Sequence, residues 1–442
     1  MTTPGAATPL ARRLATRDAV VIGVGSMVGA GLFTAFAPAA AAAGRLLVPA
    51  LAVAALIAFC NATSSAQLAA QYPTSGGTYV YGRERLGEWW GFVAGWGFVI
   101  GKTASCAAMA LAFAAYVAPP GWQRPLAVAA VVALAAVNYR GITRTARLTR
   151  GIVTGVLAAL VVVLVAVALA PAAARPGSAD AAGSGVGGVL QGAAILFFAF
   201  AGYARIATLG EEVVDPSRTI PRAVLGAFTV VVPLYAVTAL VLLRSLGVPG
   251  LAASAAPLRA AAAATPWSAW LTPLVGLAAA AATLGALLAL IAGVGRTTLA
   301  MAREGDLPRR FAAVHERYAV PHVAEVGVAA VVCVLVLLTD LRGVIGFSSF
   351  GVLTYYAVAN AAALTQDAGH RRYPRVLAVI GLVGCVALVF AVPSGSLVAG
   401  VVVLAGGLGG RLVVTRRRVG PGSDGGGDTR GVLPMDGGST AT

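Results

Sequence analysis

The sequence predicts an all-α polytopic membrane protein with about twelve transmembrane helices. Three observations lead there. Of the 442 residues, 59% are hydrophobic and only 11% charged, with a mean hydropathy of +0.86; water-soluble domains carry about 25% charged residues. The apolar residues gather into runs of spanning length, and twelve spans of about 20 residues use roughly 250 positions, leaving no stretch for a separate soluble domain. Third, the basic residues are biased to one side. With the N-terminus in the cytoplasm, 24 of the 32 Lys and Arg fall on the cytoplasmic side. Arg45, Arg124, Arg175, Arg244, Arg259 and Arg342 fall outside, and Lys102 and Arg205 within the spans. The net charge of +16 is therefore the positive-inside signature of a multi-pass plasma-membrane protein with both termini cytoplasmic. The lipid bilayer is its expected surrounding, and no nucleic-acid partner is needed.

Residues 1–17 form a short polar leader with Arg12, Arg13 and Arg17 and no clean cleavage context, so the first apolar run stays as a span. The spans then follow near 18–43, 47–71, 88–118, 125–139, 151–171, 187–210, 223–244, 270–301, 325–339, 343–365, 375–392 and 395–414. The segments 172–186 and 245–269 read as the longer outer loops, and 302–323 as an amphipathic cytoplasmic connection. The tail, 415–442, is dominated past Arg418 by Gly, Asp and Ser and is expected to be disordered. Cys60, Cys106, Cys333 and Cys385 lie in apolar segments without a CxxC spacing, which argues for small buried hydrophobes rather than disulfide or metal ligands.

Two spans depart from plain helix. Span 1 carries Gly23, Gly25, Gly29 and Gly31, and span 6 carries Phe197-Phe198-Ala199-Phe200-Ala201-Gly202-Tyr203-Ala204-Arg205. Glycine disfavours helix by about 1 kcal/mol per residue, so the cluster predicts an unwound stretch. The two segments open successive sets of five spans, the sequence pattern that marks a transporter's binding site. Unwound backbone offers N–H groups to a carboxylate and C=O groups to an ammonium or a cation. Two look-alikes fail: Gly23-Val24-Gly25 with Gly29 follows no strand, and Gly101-Lys102-Thr103 has Trp96 where a phosphate loop needs glycine. Gly91 and Gly95 read as a helix-packing pair.

None of the 16 acidic residues falls mid-span, which argues against a carboxylate proton relay and against a site for a cationic side chain. Lys102 is the chain's only lysine. An ammonium costs about 2.5–3.5 kcal/mol or more at membrane depth, so its default reading is functional: a fixed cation in place of a coupling ion, or a proton carrier. The bland alternative is a lysine bound to carbonyls for structure. Arg205 is either an electrostatic or gating element or reaches along its helix to Glu211 and Glu212.

These residues resemble a known family. Gly25-Ser26-Met27-Val28-Gly29-Ala30-Gly31-Leu32-Phe33 is similar to the G-S-x-I-G-x-G-I-F signature of the amino acid–polyamine–organocation permeases. Tyr72-Pro73-Thr74-Ser75-Gly76-Gly77-Thr78-Tyr79-Val80-Tyr81 resembles their loop after span 2. Phe200-Ala201-Gly202-Tyr203 followed by Glu211-Glu212 and Asp215-Pro216-Ser217-Arg218-Thr219-Ile220-Pro221-Arg222 resembles the motif of span 6 and beyond. Arg296, the run Ala300–Pro308 and Pro321 resemble the region after span 8. The resemblance implies a LeuT-type fold: inverted repeats at 18–171 and 187–365, broken spans 1 and 6, and two extra spans at 375–414. It implies a secondary carrier of amino acids or amines working by alternating access, usually with proton coupling or as an exchanger. No nucleophile–base or metal constellation is present, so an enzyme is not expected, nor a cofactor or metal. By the same resemblance, backbone N–H groups of Gly25, Ser26, Gly29 and Gly31, with Met27 among them, hold the substrate carboxylate. Carbonyls of Phe198, Ala199 and Phe200 receive its ammonium, with Phe198, Phe200, Gly202 and Tyr203 shaping or gating the site. Lys102 and Arg205 are the coupling candidates. Two positions depart from the pattern: Ala204 stands where many members have Glu, and Gly151, Ile152 and Val153 stand near the level where proton-coupled relatives can place a lysine. The expected function is proton-coupled symport of a neutral amino acid, with exchange or substrate sensing as alternatives.

Overall fold

The computed structural model describes residues 14–74, 76–141, 146–171, 185–210 and 212–418. The polar leader up to residue 13, most of the expected outer loop 172–186, Glu211 and the tail beyond 418 lie outside them. Among the described residues there is no strand, only an isolated parallel bridge between Leu14 and Val213. The helices in chain order are α1 (Thr16–Met27), α2 (Phe36–Ala43), α3 (Leu47–Gln71), α4 (Thr78–Leu86), α5 (Glu88–Val117), α6 (Gln123–Tyr139), α7 (Ala146–Leu169) and α8 (Val186–Phe200). They continue with α9 (Ala204–Ala207), α10 (Pro216–Ala253), α11 (Pro257–Ala263), α12 (Ser268–Arg303), α13 (His322–Leu338), α14 (Leu341–Leu364), α15 (Arg375–Ala391) and α16 (Ser394–Arg418).

Among the described residues, eight stretches are long and apolar enough to cross a membrane, and α6, α13 and α15 are shorter apolar helices. One of the eight, Phe36–Gln71, is divided at Gly44, whose φ of +57° ends α2 and starts α3 in a conformation that glycine tolerates best. The protein is an all-α multi-pass membrane protein. Two connections carry more structure than the sequence suggests. The stretch after α3 forms the polar helix α4. The loop 245–269 contains the end of α10, which kinks at Gly247, and all of α11. The amphipathic connection 302–323 holds only a 3₁₀ turn, Arg309–Ala312.

α5 is the central post. One side meets α14 through small residues: a Cβ added to Gly97 would stand 2.9 Å from the Gly351 carbonyl oxygen, and one on Gly101 3.0 Å from that of Ser348. Ser105 and Ser348 share a 2.7 Å hydroxyl hydrogen bond at the same contact. Close backbone approach of this kind replaces the hydrophobic effect as glue inside a bilayer. Gly91 and Gly95 do the same against α4, a Cβ on them falling 2.1 Å from Arg83 Cγ and 2.7 Å from Tyr79 Cδ2. A second polar junction ties α3, α14 and α15. The Asn360 amide donates to Asn61 Oδ1 (2.6 Å) and to the Tyr356 carbonyl (2.9 Å), and the Asn61 amide donates to Cys385 Sγ (3.2 Å). Cys385 is thus an acceptor as well as a buried apolar group.

The arginine-rich end is fastened by charge. Asp306, on the connection after α12, accepts from the Tyr79 hydroxyl (2.8 Å) and pairs with Arg411 (3.0 Å) and Arg83 (3.3 Å). Arg411 lies over the Trp89 ring at 4.6 Å and donates to the Glu88 carbonyl at 2.7 Å. Three elements far apart in sequence (α4, the turn after α12, and α16) therefore meet at one carboxylate, and α5 joins them through Arg411. At the opposite end α11 caps the bundle: Leu258 N–H donates to the Tyr116 hydroxyl and Arg259 to the Tyr116 carbonyl (3.0 Å).

Burial pushes the Asp306 carboxyl up from its ordinary value, with the Tyr79 hydrogen bond and the two guanidinium groups opposing it. A raised carboxyl binds its proton more tightly folded than unfolded, so its contribution to stability is full below the unfolded value and is lost as pH rises through the folded one. Arg411→Met removes a cation and raises that carboxyl further. The expected result is a loss of about 3–5 kcal/mol near neutral pH, shrinking as pH is lowered, read from melting curves of the purified variant across pH. A pH-independent deficit would mean that Arg411 acts only through packing on Trp89 and Phe92.

Candidate substrate site at the paired helix breaks

The glycines of span 1 do not produce an extended break. α1 passes at Val28–Leu32 into a π turn, and Thr34 and Ala35 N–H both donate to the Gly31 carbonyl (3.2 and 3.0 Å) before α2 resumes. Glycine weakens the helix enough to admit the wider i→i+5 register, so the backbone groups stay largely engaged within the turn. In span 6, α8 ends at Phe200, a 3₁₀ turn covers Ala201–Tyr203, and α9 follows. Here too the chain stays coiled: Ala201 N–H donates to the Phe197 and Phe198 carbonyls.

The two breaks touch backbone to backbone. A Cβ on Gly202 would stand 2.5 Å from Met27 N and 2.5 Å from the Ser26 carbonyl carbon, and one on Gly31 2.1 Å from Ala199 Cα. Flanking helices close the pair: a Cβ on Gly25 would meet Val153 Cγ2 of α7 at 2.5 Å, and one on Gly29 the Ala282 carbonyl of α12 at 2.7 Å. Val153, near the level where proton-coupled relatives can place a lysine, is therefore an apolar wall against Gly25. Among the residues of the two breaks, Met27, Gly29, Phe198, Ala199, Phe200 and Tyr203 are buried, whereas Gly25, Ser26 and Gly202 keep partial exposure.

Side chains from other helices hold the break carbonyls. The Tyr235 hydroxyl of α10 donates to the Met27 carbonyl (2.7 Å), with the Ala199 carbonyl also within reach (3.0 Å), so one group bridges both breaks. Lys102 Nζ of α5 donates to the Ala201 carbonyl (3.1 Å), and the Tyr356 hydroxyl of α14 stands 3.5 Å from the same oxygen. Aromatic rings pack around these contacts: Phe200 against Tyr235 at 5.0 Å and Phe228 at 6.0 Å, Tyr203 stacked on Tyr356 at 5.0 Å, and Phe197 edge-on to Tyr356 at 5.8 Å. In this conformation the Phe198 and Ala199 carbonyls, expected to receive a substrate ammonium, already have donors within the protein.

Of the two embedded cations, Lys102 joins this site and Arg205 leaves it. The Arg205 guanidinium runs along its own helix to Thr208 Oγ1 (3.3 Å) and Glu212 Oε1 (3.4 Å). Nothing in the sequence marks Tyr235 or Tyr356, since a lone tyrosine in an apolar span has no diagnostic spacing. Glu325 was likewise unremarkable: it sits in the first turn of α13, buried, where a Cβ on Gly295 of α12 would stand 2.7 Å from its Cγ.

The comparisons with known proteins agree on the family. Residues 14–407 match the family described as amino acid permease. The chain is 57% identical over 419 residues to an uncharacterized transporter of Mycobacterium tuberculosis (strain ATCC 25618 / H37Rv), covering 92% of this chain and 93% of that one. It is 29% identical over 374 residues to cationic amino acid transporter 4 of Homo sapiens, covering 79% of this chain and 59% of that one. It is also 23% identical over 398 residues to the branched-chain amino acid permease BcaP of Bacillus subtilis, covering 84% of each. The matched region contains both broken spans and every helix that closes around them, and the chain belongs to the amino acid permease family of the amino acid–polyamine–organocation superfamily.

Proposed function

We propose that the protein is a secondary active permease that carries a neutral amino acid by alternating access, in symport with protons, across the plasma membrane. The observation that carries this reading is the juxtaposition of the two broken spans, their carbonyls held by Tyr235 and Lys102. A substrate ammonium is the same kind of donor as Lys102 Nζ, and a substrate carboxylate suits the N–H groups where the first break begins. Gly25, Ser26, Met27, Gly29 and Gly31 then face one end of the substrate backbone, and Phe198, Ala199, Phe200, Gly202 and Tyr203 the other. The relatives' names divide between cationic and branched-chain substrates; the local charge favours a side chain without positive charge. Lys102 is itself a cation, Glu212 is paired with Arg205, and Asp18 is paired with Arg150 at 3.3 Å. Glu212 and Asp18 are thus already engaged, and a cationic side chain would have to displace one of their arginines to offset its burial.

The same reading divides the chain into repeats at 18–171 and 187–365, with 375–414 appended, and puts the arginine-rich end and both termini in the cytoplasm, which the basic bias supports. Lys102 is the coupling residue in this scheme: as an ammonium it holds the α8 break, and loss of its proton weakens that hold. Arg205, paired to Glu212, tunes α9, the short helix on which it sits.

Uptake of a panel of labelled amino acids into proteoliposomes tests the function. A proton gradient should stimulate uptake of a neutral amino acid; uptake only against preloaded amino acid would make the protein an exchanger, and binding without uptake would make it a sensor. Lys102→Met should abolish the gradient response while the protein remains folded, and an unchanged pH dependence would remove Lys102 from coupling.

Tyr235→Phe deletes one hydroxyl and keeps the ring contacts. Leaving the Met27 and Ala199 carbonyls without their donor should destabilise the fold by about 1–3 kcal/mol and weaken substrate binding at least severalfold, measured by melting and by binding to the purified variant. Wild-type values for both would show that the hydroxyl does not hold the breaks.

A further inference from the structure

Away from the helix breaks, a cavity of about 950 Å³ opens between α5, α13, α14 and α16. It runs from Leu307, Pro308 and Phe311 at the arginine-rich end to Thr339, Asp340 and Arg342 at the other. Along α13 alone, Ala324 to Thr339 corresponds to about 22 Å of helix rise, more than one leaflet of a hydrocarbon core of about 30 Å. Its polar groups are spent internally. Thr103 donates to the Val99 carbonyl (2.7 Å), Thr298 to Val294 (2.9 Å), Thr339 to Leu335 (2.6 Å), Ser396 to Gly343 (3.1 Å) and the Trp96 indole to Val403 (3.0 Å). The wall between the two mouths therefore presents hydrocarbon and suits an apolar chain, not a polar amino acid.

The two mouths differ in charge. At the far mouth Asp340 caps α14 through Gly343 N–H (2.8 Å) and stands beside the exposed Arg342, so acid and base offset each other. At the arginine-rich mouth, Pro308 and Phe311 line the cavity, and Arg309 and Arg310 occupy the same 3₁₀ turn, both exposed. Neither enters an ion pair among the described residues, whereas Arg83, Arg85, Arg150, Arg205 and Arg411 all do.

We propose that this groove is a binding site for an anionic phospholipid of the leaflet on the arginine-rich side. The acyl chains lie against Val99, Ile100, Val328, Val331 and Leu335, and the phosphate sits at Arg309 and Arg310. Basic residues beside a gap between transmembrane helices form the chemistry that selects an anionic headgroup over a zwitterionic one. The site does not rest on the transport reading and is tested without a transport assay.

The experiment is native mass spectrometry of the delipidated full chain titrated with phosphatidylglycerol or phosphatidylcholine. The wild type should retain phosphatidylglycerol preferentially. Arg309→Gln and Arg310→Gln, both at exposed positions, should each weaken that preference about fivefold without affecting the melting temperature. Gly327→Trp, on the groove wall, should displace both lipids while leaving the protein folded. Equal retention of the two lipids by the wild type, or retention unchanged in all three variants, overturns the proposal. Efficient disulfide cross-linking between copies bearing Gly327→Cys also overturns it, because a second chain would then be seated in the groove.

Discussion

Backbone satisfaction inside a bilayer constrains everything else in this fold. Hydrocarbon offers no hydrogen bonds, so an interrupted helix has to find partners for each freed carbonyl within the protein. Two interrupted helices side by side double the requirement. The structure meets it partly by keeping both interruptions coiled, as a π turn and a 3₁₀ turn, and partly by importing donors. Tyr235 arrives on α10, Lys102 on α5 and Tyr356 on α14. These helices must therefore sit at fixed depth and rotation around the breaks, and their own packing becomes a condition for the site.

That condition explains where the small residues lie. α5 can bring Lys102 to the Ala201 carbonyl only if it also seats closely on α14 and α4, and the glycines at 97, 101, 91 and 95 allow both contacts. The ends of the bundle are fastened by other means, with Asp306 and its arginines at one end and Tyr116 with α11 at the other. Strength is concentrated at the ends and along α5, leaving the breaks joined mainly by a shared tyrosine hydroxyl and by van der Waals contact. A region built this way is suited to change conformation while its frame stays in place.

The spans were legible because burial in lipid writes itself into composition: α3 occupies 47–71, the limits that hydropathy alone suggests. The two irregular spans were legible through glycine, but glycine content reports only that a helix is weak and does not choose between a π turn and extended chain. α4 was hidden because it is short and polar, and α11 because seven residues of mostly alanine resemble any loop between spans. Lys102 stood out by rarity, yet its partner is a backbone carbonyl, which no side-chain pattern encodes. Arg411 and Asp306 are ordinary in their local sequences, and only tertiary folding brings them together. Tyr235 is the clearest case: its importance lies in one hydroxyl reaching two carbonyls from different spans.

Charge at the breaks bears on how such a site could work. Lys102 is held by the Ala201 carbonyl dipole and enters no ion pair among the described residues. A cation stabilised by dipoles alone is sensitive to how many of them face it, because no full countercharge fixes its energy. Any rearrangement that turns the Ala201 carbonyl away removes a direct partner from the ammonium, and any change in that ammonium alters the hold on the break. In the proposed scheme, helix geometry and protonation are thereby linked through a single hydrogen bond. A zwitterionic substrate, as proposed here, would add dipole without net charge and so compete for that carbonyl without a second buried charge that needs an acid to balance it.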